Sequence, residues 1–285
     1  MTTLEWPLCT PPGFVKSIVP IGTSVSQGAW GISWSEVQRR CIRSDPLFRD
    51  GYYELNQQPT SGLATARMVA MLTYRSAESF EKRFGRNKSR ETKDSISPPV
   101  ATVSNGSLSP SRLPPNSSPA WDNPIVRRFS AHDYLDYQGT KFLRRFDANC
   151  YLHLIDKMDM HDIRRGRVLD DSHSVSNGEG TPPDNEAKLF SRVPPHALVI
   201  GIDSDVLFRP VQQYDLAACL PDATLAMLKS SDGHDAFLLE FEQLNHLIID
   251  RLKWQFPTMY EGFSQKVAGI DMPNSANGIS VGEMD

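Results

Sequence analysis

The stretch "HALVIGIDSDVLF", residues 196–208, sets the fold class of this chain of 285 residues. Its first part, residues 196–202, is a compact apolar run, typical of a strand that is buried on both faces of a parallel sheet. Its second part places two carboxyl groups, Asp203 and Asp205, directly after that strand. In open α/β sheets, ligands and catalytic groups gather at the carboxyl edge of the strands. The stretch therefore predicts both a parallel sheet and a functional edge.

Two further apolar runs have the length of strands. They are "KSIVPIGT" at residues 16–23 and "ATLAMLK" at residues 223–229. Helical patterns at residues 211–220 and 236–254 follow the second and third runs. The order strand, helix, strand, helix predicts a parallel α/β unit with right-handed crossovers.

Residues 28–163 have a helical rather than a strand-like pattern, and they predict a helical insertion between the first two strands. The phrase "SWSEVQRRCI" predicts a helix that starts with a capping box from Ser33 to Glu36. One face of that helix is expected to carry Trp34, Val37 and Cys41.

Two stretches, residues 86–124 and 164–192, are rich in serine, proline and asparagine and poor in apolar residues. Such composition cannot bury enough surface to offset the entropy of ordering, so we expect flexible surface insertions. The expected organisation has a partial α/β core, formed by residues 1–27 and 193–270. A helical lid at residues 28–163 contains the first insertion. The second insertion at 164–192 follows it, and a tail at 271–285 ends the chain.

Composition excludes several classes of protein. The net charge is about −4 and the arginine pairs are dispersed, which does not fit a nucleic-acid surface. The four cysteines form no C-x-x-C pair, so neither a zinc site nor a disulfide scaffold is expected. No apolar run reaches the roughly 18 residues of a membrane span, and the N-terminus lacks a signal pattern. We therefore expect a cytoplasmic protein without membrane contacts.

The triplet Gly-His-Asp, which contains His234, follows the third predicted strand. Asp205 and His234 lie 29 positions apart, enough for one loop, one helix and one strand, so both should emerge at the same sheet edge. There the acid can orient the histidine, and in α/β-hydrolases the acid also precedes the histidine. The plainer interpretations are a turn-forming or capping aspartate and a capping or surface histidine.

Asp203-Ser204-Asp205 also resembles the D-x-D site of haloacid-dehalogenase-type phosphatases. Those enzymes carry the motif on their first strand, usually before Gly-Thr. Here the motif is late and precedes Val-Leu-Phe, which disfavours that interpretation.

Six phrases together resemble the homoserine O-acetyltransferase family of α/β-hydrolases, and the related deacetylcephalosporin C acetyltransferases share most of them. The resemblance implies the C-terminal part of an α/β-hydrolase fold, with about three parallel strands, flanking helices and an inserted helical lid. The phrases are "TLEW" (3–6), "WSEVQRRCIRSDP" (34–46), "GLATARMVAMLTYRSAESFEKRFG" (62–85), "YLDYQGTKFLRRFDANCYL" (134–152), "SDVLF" (204–208) and "GHDAFL" (233–238).

The resemblance also implies roles for single residues. Asp205 matches the triad acid, His234 the triad base, and Asp235 the acid that meets the amino group of the acceptor. Arg67 and Tyr74 match lid residues that line the substrate site, and an arginine fork can bind a carboxylate bidentately. Two plainer alternatives stay open: Asp235 suits the first turn of a helix, and Arg67 suits a solvated helix face.

The family's nucleophile is the serine of a G-x-S-x-G-G elbow, which lies just before the phrase that matches "MTTLEW". The nucleophile is therefore expected upstream of Met1, the chain looks N-terminally truncated, and it is expected to be inactive alone. Ser24 follows a predicted strand, but its phrase "GTSVSQG" matches a later family segment, so it is not assigned as the nucleophile.

The implied reaction is acetyl transfer from acetyl-CoA, a co-substrate, through an acyl-serine to L-homoserine in methionine biosynthesis. Neither a bound cofactor nor a metal is expected, and the family implies a homodimer that acts on small molecules. The alternatives are a deacetylcephalosporin-type acetyltransferase with a similar hydroxyl acceptor, an α/β-hydrolase esterase, and a non-catalytic remnant.

Overall fold

The computed structural model describes residues 1–54, 56–89, 129–167 and 182–260. The predicted tail at 271–285 and most of the two predicted insertions lie outside these residues. No helix within the described ranges has the length and apolarity needed to cross a bilayer. The elements are α1 (Thr2–Cys9), α2 (Ala29–Arg43), α3 (Thr60–Tyr74), α4 (Ala77–Arg83), α5 (Ser130–Leu143), α6 (Ala148–Asp159), α7 (Pro182–Phe190), β1 (Leu198–Ile202), α8 (Pro210–Cys219), β2 (Thr224–Leu228), α9 (Ala236–Leu239), α10 (Phe241–Gln255) and α11 (Pro257–Tyr260).

Strands β1 and β2 pair in parallel, with Leu198 opposite Thr224 and Ile202 opposite Leu228. Helix α8 connects them, as the strand–helix–strand pattern predicts. All five residues of β1 are buried, because this strand is covered on both faces of the sheet.

The predicted strand at residues 16–23 lies beside β1 but is irregular. Ile200 donates its N–H to the carbonyl of Pro20 (2.8 Å) and accepts from the N–H of Gly22 (2.9 Å), in a parallel pattern. The same pattern would give the carbonyl of Leu198 a bond from residue 20, but proline has no N–H. One missing donor thus prevents a regular strand while the apolar segment keeps its place in the sheet.

Helices cover both faces of this sheet. One face packs against α1, α7 and α8, and the other packs against α9 and α10. Helix α7 lies inside the stretch 164–192, whose composition predicts a flexible insertion. That prediction is wrong for residues 182–192, because Leu189 and Phe190 at the end of a polar run are buried in the sheet's core.

Helices α2, α3, α5 and α6 of the helical insertion pack around a core of their own. This second core is formed by Ile42, Phe48, Leu63, Ala66, Phe142, Ala148, Tyr151, Leu152 and Ile155. Burial of these side chains holds the four helices together as a unit beside the sheet.

The predicted capping box of α2 is wrong. The helix begins at Ala29, and the hydroxyl of Ser33 donates to the Ala29 carbonyl (2.8 Å) inside the helix. The buried face is also displaced from the expected one: it carries Gln38 and Arg39, whereas Val37 is 46% exposed. Arg39 is charged but buried, because it pairs with Asp159 of α6. An apolar pattern therefore does not indicate the buried face of α2.

The helical insertion joins the sheet through a short antiparallel contact between residues 24–27 and 161–163. Gln27 donates its N–H to the carbonyl of His161 (2.8 Å), and Ile163 donates to that of Val25 (3.1 Å). The His161 side chain is buried there, and its Nε2 lies 3.0 Å from the carbonyl of Ser24. Burial lowers the pKa of His161, so the folded protein favours the neutral ring at this contact between the helical insertion and the sheet, which we call the joint.

Candidate active site

Asp205 and His234 meet at the carboxyl edge of the sheet. Asp205 lies in the loop after β1, and His234 lies in a short 3-10 turn, Gly233–Asp235, a few residues after β2. Oδ2 of Asp205 is 2.7 Å from Nδ1 of His234, and the carboxylate is 0% exposed. Neighbouring parallel strands therefore bring the two predicted residues into direct contact.

The two oxygens of Asp205 have separate contacts. Oδ1 accepts the backbone N–H groups of Leu207 (2.8 Å) and Phe208 (2.9 Å), and Oδ2 faces the imidazole. Because an ionised carboxylate only accepts hydrogen bonds, Nδ1 of His234 carries the proton. This tautomer leaves Nε2 as the free base, which is the form that general-base chemistry needs.

The imidazole of His234 is held on several sides. The rings of Phe208, Phe237 and Tyr74 have their centroids 5.4, 5.3 and 6.4 Å from its own. Behind it lies Gly22, where a Cβ would come within 3.1 Å of Cε1. Gly22 also has a φ of +50°, so both its space and its backbone favour glycine.

Arg67 and Tyr74 lie two turns apart on α3 and contact one another. The Arg67 guanidinium is 5.2 Å from the Tyr74 ring centroid and 5.0 Å from that of Phe142. Its Nε is buried without a hydrogen-bond partner in the described part of the chain. Burial raises the pKa of Tyr74, which keeps the hydroxyl neutral beside this cation. The pair therefore offers unused donors to an anion.

Asp235 directly follows the histidine and shares its surroundings. Burial raises the pKa of the Asp235 carboxyl. The positive charge of Arg75 opposes that rise most, followed by that of His234 when its ring is protonated and by that of Arg67. These couplings place Asp235 in the same electrostatic neighbourhood as His234 and Arg67. The structure thus brings a base, a cation with free donors and a half-buried acid to one edge of the sheet.

The D-x-D interpretation does not fit this geometry. Asp203 accepts the N–H of Ser230 (3.2 Å) and pairs with Lys229 (3.4 Å), whereas Asp205 turns to His234. The two carboxylates therefore serve different partners. Among the described residues, no group of three or more His, Cys, Asp or Glu side chains is arranged to hold a metal ion.

Arg75 and Asp232 are absent from the residues that the sequence predicts for the site, yet they form an ion pair (3.2 Å) between the helical insertion and the histidine loop. A signal was present, since Arg75 directly follows Tyr74 and Asp232 lies two residues before His234. Ser24, by contrast, is buried, and its hydroxyl donates to the carbonyl of Ser26 (2.7 Å).

Comparison with known proteins shows the family. The family model described as alpha/beta hydrolase fold matches residues 8–241. The chain is 38% identical to the homoserine O-acetyltransferase of Cryptococcus neoformans var. grubii, over 92% of this chain and 64% of that protein. It is also 38% identical to a homoserine O-acetyltransferase of Fusarium oxysporum f. sp. lycopersici, over 92% of this chain and 68% of that protein.

A solved structure shows the same fold. The homoserine O-acetyltransferase from Bacillus anthracis matches with a TM-score of 0.60 at 17% identity, over 84% of this chain and 53% of that one. The chain spans 64%, 57% and 59% of the length of three of the curated relatives that it matches. The chain belongs to the α/β-hydrolase fold family and, within it, to the homoserine O-acetyltransferase family.

Proposed function

We propose that the protein takes part in O-acetyl transfer from acetyl-CoA to L-homoserine, through an acyl-serine intermediate. One observation carries the proposal: a hydrogen-bonded acid–base pair, Asp205 and His234, lies beside the guanidinium of Arg67 and the carboxylate of Asp235. That set of charges is complementary to an α-amino acid that carries a hydroxyl group. The curated relatives named above bear the name of the same activity.

Each charged group of homoserine has a complementary group in this site. Arg67 has a buried Nε without a partner in the described ranges and lies beside the neutral hydroxyl of Tyr74, so the two can bind the carboxylate. Asp235, once ionised, can pair with the ammonium. With both ends held, the side-chain hydroxyl is left to face Nε2 of His234.

The chemistry then takes two steps. In the first, His234 removes the proton of the serine as its oxygen attacks the thioester carbonyl, and the proton passes to the departing thiolate of coenzyme A. In the second, His234 removes the proton of the homoserine hydroxyl, which attacks the acyl-serine, and the proton then returns to the serine oxygen. Asp205 orients the ring and stabilises its charged form in both steps.

The helical lid, residues 28–163, supports transfer rather than hydrolysis in this proposal. It carries Arg67 and Tyr74 on α3, and Trp30 on α2 donates to the carbonyl of Val206 (2.8 Å) beside the acid loop. A lid bound at the acid loop helps exclude water while the acyl group is on the serine.

The serine comes, in this proposal, from outside the described residues. The hydrogen bond of His234 to Asp205 is the one described for its side chain, and no serine, threonine or cysteine of the described ranges donates to it. Because the family resemblance implies an elbow serine upstream of Met1, we expect the purified chain of 285 residues to show no acetyl transfer. Turnover comparable to that of a complete relative would contradict this expectation.

Binding tests the acceptor site on the chain itself. Titration calorimetry should detect binding of L-homoserine to the chain of 285 residues. Binding should weaken about tenfold or more for 4-hydroxybutyrate, which lacks the ammonium, and for L-homoserine amide, which lacks the carboxylate. Equal binding of all three compounds would overturn the assignment of Arg67 and Asp235.

Turnover tests the reaction in what we call the extended enzyme: this chain joined at Met1 to the elbow-bearing N-terminal portion of a relative. Mass spectrometry should find O-acetyl-homoserine rather than free acetate. Acetate alone would indicate an esterase, acetylation of only a different hydroxyl acceptor would indicate a deacetylcephalosporin-type enzyme, and neither product would indicate a remnant.

The setting of the enzyme belongs to the same proposal. Acetylation of homoserine serves methionine biosynthesis, and the family resemblance implies a homodimer. We place the enzyme in the cytoplasm. Analytical ultracentrifugation of the extended enzyme and fluorescence microscopy of the tagged protein test the two points separately.

A further inference from the structure

The residue directly after α3 connects the helical insertion with the histidine loop. Helix α3, which carries Arg67, ends at Tyr74, and Arg75 follows with an extended backbone before α4 begins. The Arg75 side chain is 14% exposed, so its guanidinium lies between the two parts of the molecule rather than in solvent.

Three side chains, two from this connection and one from α4, bind the loop that precedes His234. Nη1 of Arg75 lies 3.2 Å from Oδ1 of Asp232, and the hydroxyl of Ser79 donates to the same oxygen at 2.5 Å. The hydroxyl of Ser76 donates to the carbonyl of Ser231. We call this set, Arg75, Ser76 and Ser79 with Asp232, the latch.

The backbones themselves are in contact at the latch. Gly233 has a φ of +73°, and a Cβ there would lie 2.5 Å from the nitrogen of Ser76 and 2.7 Å from the carbonyl carbon of Arg75. A loop pressed this closely against the insertion has little freedom. Its next residue is His234, so the latch also limits where the imidazole can lie.

Arg75 faces the acceptor side as well. Its Nε is 3.9 Å from Oδ2 of Asp235 and is buried without a hydrogen-bond partner in the described ranges. The charged groups that act on Asp235 are Arg75, His234, Arg67 and Asp205, and Arg75 has the largest effect among them. Its charge opposes the rise in the Asp235 pKa that burial causes.

We propose that Arg75 is a positioning residue of the acyl-transfer site, which fixes the His234 loop through Asp232 and holds the Asp235 carboxylate ready for the acceptor's ammonium. The proposal rests on the proposed function, in which Asp235 binds that ammonium. It also links the two halves of the site, because the residue next to the acceptor-binding Tyr74 holds the loop of the base.

The test uses the chain of 285 residues with Arg75→Gln, and Arg40→Gln as the matched control. Arg40 is an exposed arginine of α2 that pairs with Glu36. In Arg75→Gln, NMR of the side-chain carboxyl carbon should show the Asp235 carboxyl titrating about one pH unit higher than in the parent chain. Hydrogen exchange of residues 230–235 should be about tenfold faster, and homoserine affinity should fall about tenfold. Arg40→Gln should change none of these.

Two further variants separate positioning from folding. Arg75→Lys keeps the charge but not the fork, so it should restore the titration of Asp235 without restoring the slow exchange of the loop. Asp232→Asn leaves Arg75 in place, so it should speed exchange with little change in that titration. If Arg75→Gln does not fold, these two variants decide the proposal by the same measurements.

An unchanged Asp235 titration together with unchanged exchange in Arg75→Gln would overturn the proposal, and so would full restoration of slow exchange by lysine. Failure of this proposal and failure of the proposed function can be told apart. If the parent chain binds no homoserine, the acceptor assignment fails, but titration and exchange still decide whether Arg75 positions the loop.

Discussion

Asp203 and Asp205 follow the same strand two positions apart, and the backbone sends them to different partners. Asp205 is enclosed between two N–H groups and the imidazole, whereas Asp203 pairs at the surface with Lys229. A single-residue test can therefore separate the two carboxylates.

In the extended enzyme, Asp205→Asn should lower kcat by about 10³–10⁴-fold, because an amide favours the wrong tautomer of the imidazole. The matched control, Asp203→Asn, should stay within about threefold of the parent, since surface ion pairs contribute little. Steady-state kinetics of both variants decide the matter. Equal losses in the two variants would mean that the D-x-D pair acts as a unit.

Asp235 should show a conflict between stability and binding. Burial raises its pKa above the usual 3.8, so folding favours the protonated acid, and the stability that it gives at low pH is lost as the pH rises through the raised value. At pH 7, Asp235→Asn should raise Tm by about 1–3 °C while homoserine affinity falls about tenfold. Calorimetric scans and titrations of one sample measure both. A lower Tm would show that the charge stabilises the fold.

The acid and the base could be located from the sequence, because strand order and spacing alone bring Asp205 and His234 to one edge. The roles of Arg67, Tyr74 and Asp235 came from the family phrases, since pattern alone favours a solvated arginine and a capping acid. Arg75 was missed although it directly follows Tyr74, because nothing in the sequence pairs it with Asp232, which lies 157 positions away.

Among the elements around the site, the turn at Gly233 should be the one that tolerates substitution least. Its positive φ and the contact with Ser76 and Arg75 make two separate demands on the residue. Gly166 shares the first demand, with a φ of +69°, but a Cβ at that position would meet nothing within 4 Å in the described part of the chain.

Gly166→Ala should therefore cost about 1 kcal/mol, which is the cost of the left-handed backbone alone. Gly233→Ala should cost about 2 kcal/mol more, because the methyl group meets backbone atoms that cannot move independently. Urea denaturation of both variants measures the difference. Equal costs would show that the loop can withdraw from the latch.

Element types were more predictable than element ends. The apolar runs identified β1, which is buried throughout, and β2, of which only the last residue, Leu228, is buried. Whether the segment at 16–23 forms a regular strand depended on whether Pro20 faced β1. The start of α2 was missed because Gly28, the residue before the helix, has no side chain to form a cap. Helix α7 was missed because its two buried apolar residues, Leu189 and Phe190, stand at the end of a polar stretch that dominates the composition.

For the whole molecule, the joint at His161 sets an acid limit on stability. Its pKa lies below the usual 6.5, so the unfolded chain binds the proton more tightly, and stability is lost as the pH falls from 6.5 toward the lowered value. The amino group of Met1 opposes protonation of the ring, and Glu5 and Asp162 favour it.

His161→Gln should flatten this dependence, because a neutral amide can still donate to the carbonyl of Ser24. The slope that it removes is at most about 1.4 kcal/mol per pH unit. His246→Gln, at an exposed histidine of α10, is the control and should leave the slope in place. Urea midpoints between about pH 5 and 7, the range in which histidine titrates, give the slopes. A parent chain without such a slope would exclude His161 as the limit.

The sheet also has an open side. In the segment at 16–23, the bonds to β1 use the peptide groups of alternate residues, so those of Val19 and Ile21 point the other way, without backbone partners in the described part of the chain. Such an edge attracts other strands, and light scattering of the isolated chain should rise with concentration. Gly22, which supports the imidazole from behind, lies on the same segment. Any strand that covers this edge should therefore improve solubility and hold the base in place at the same time.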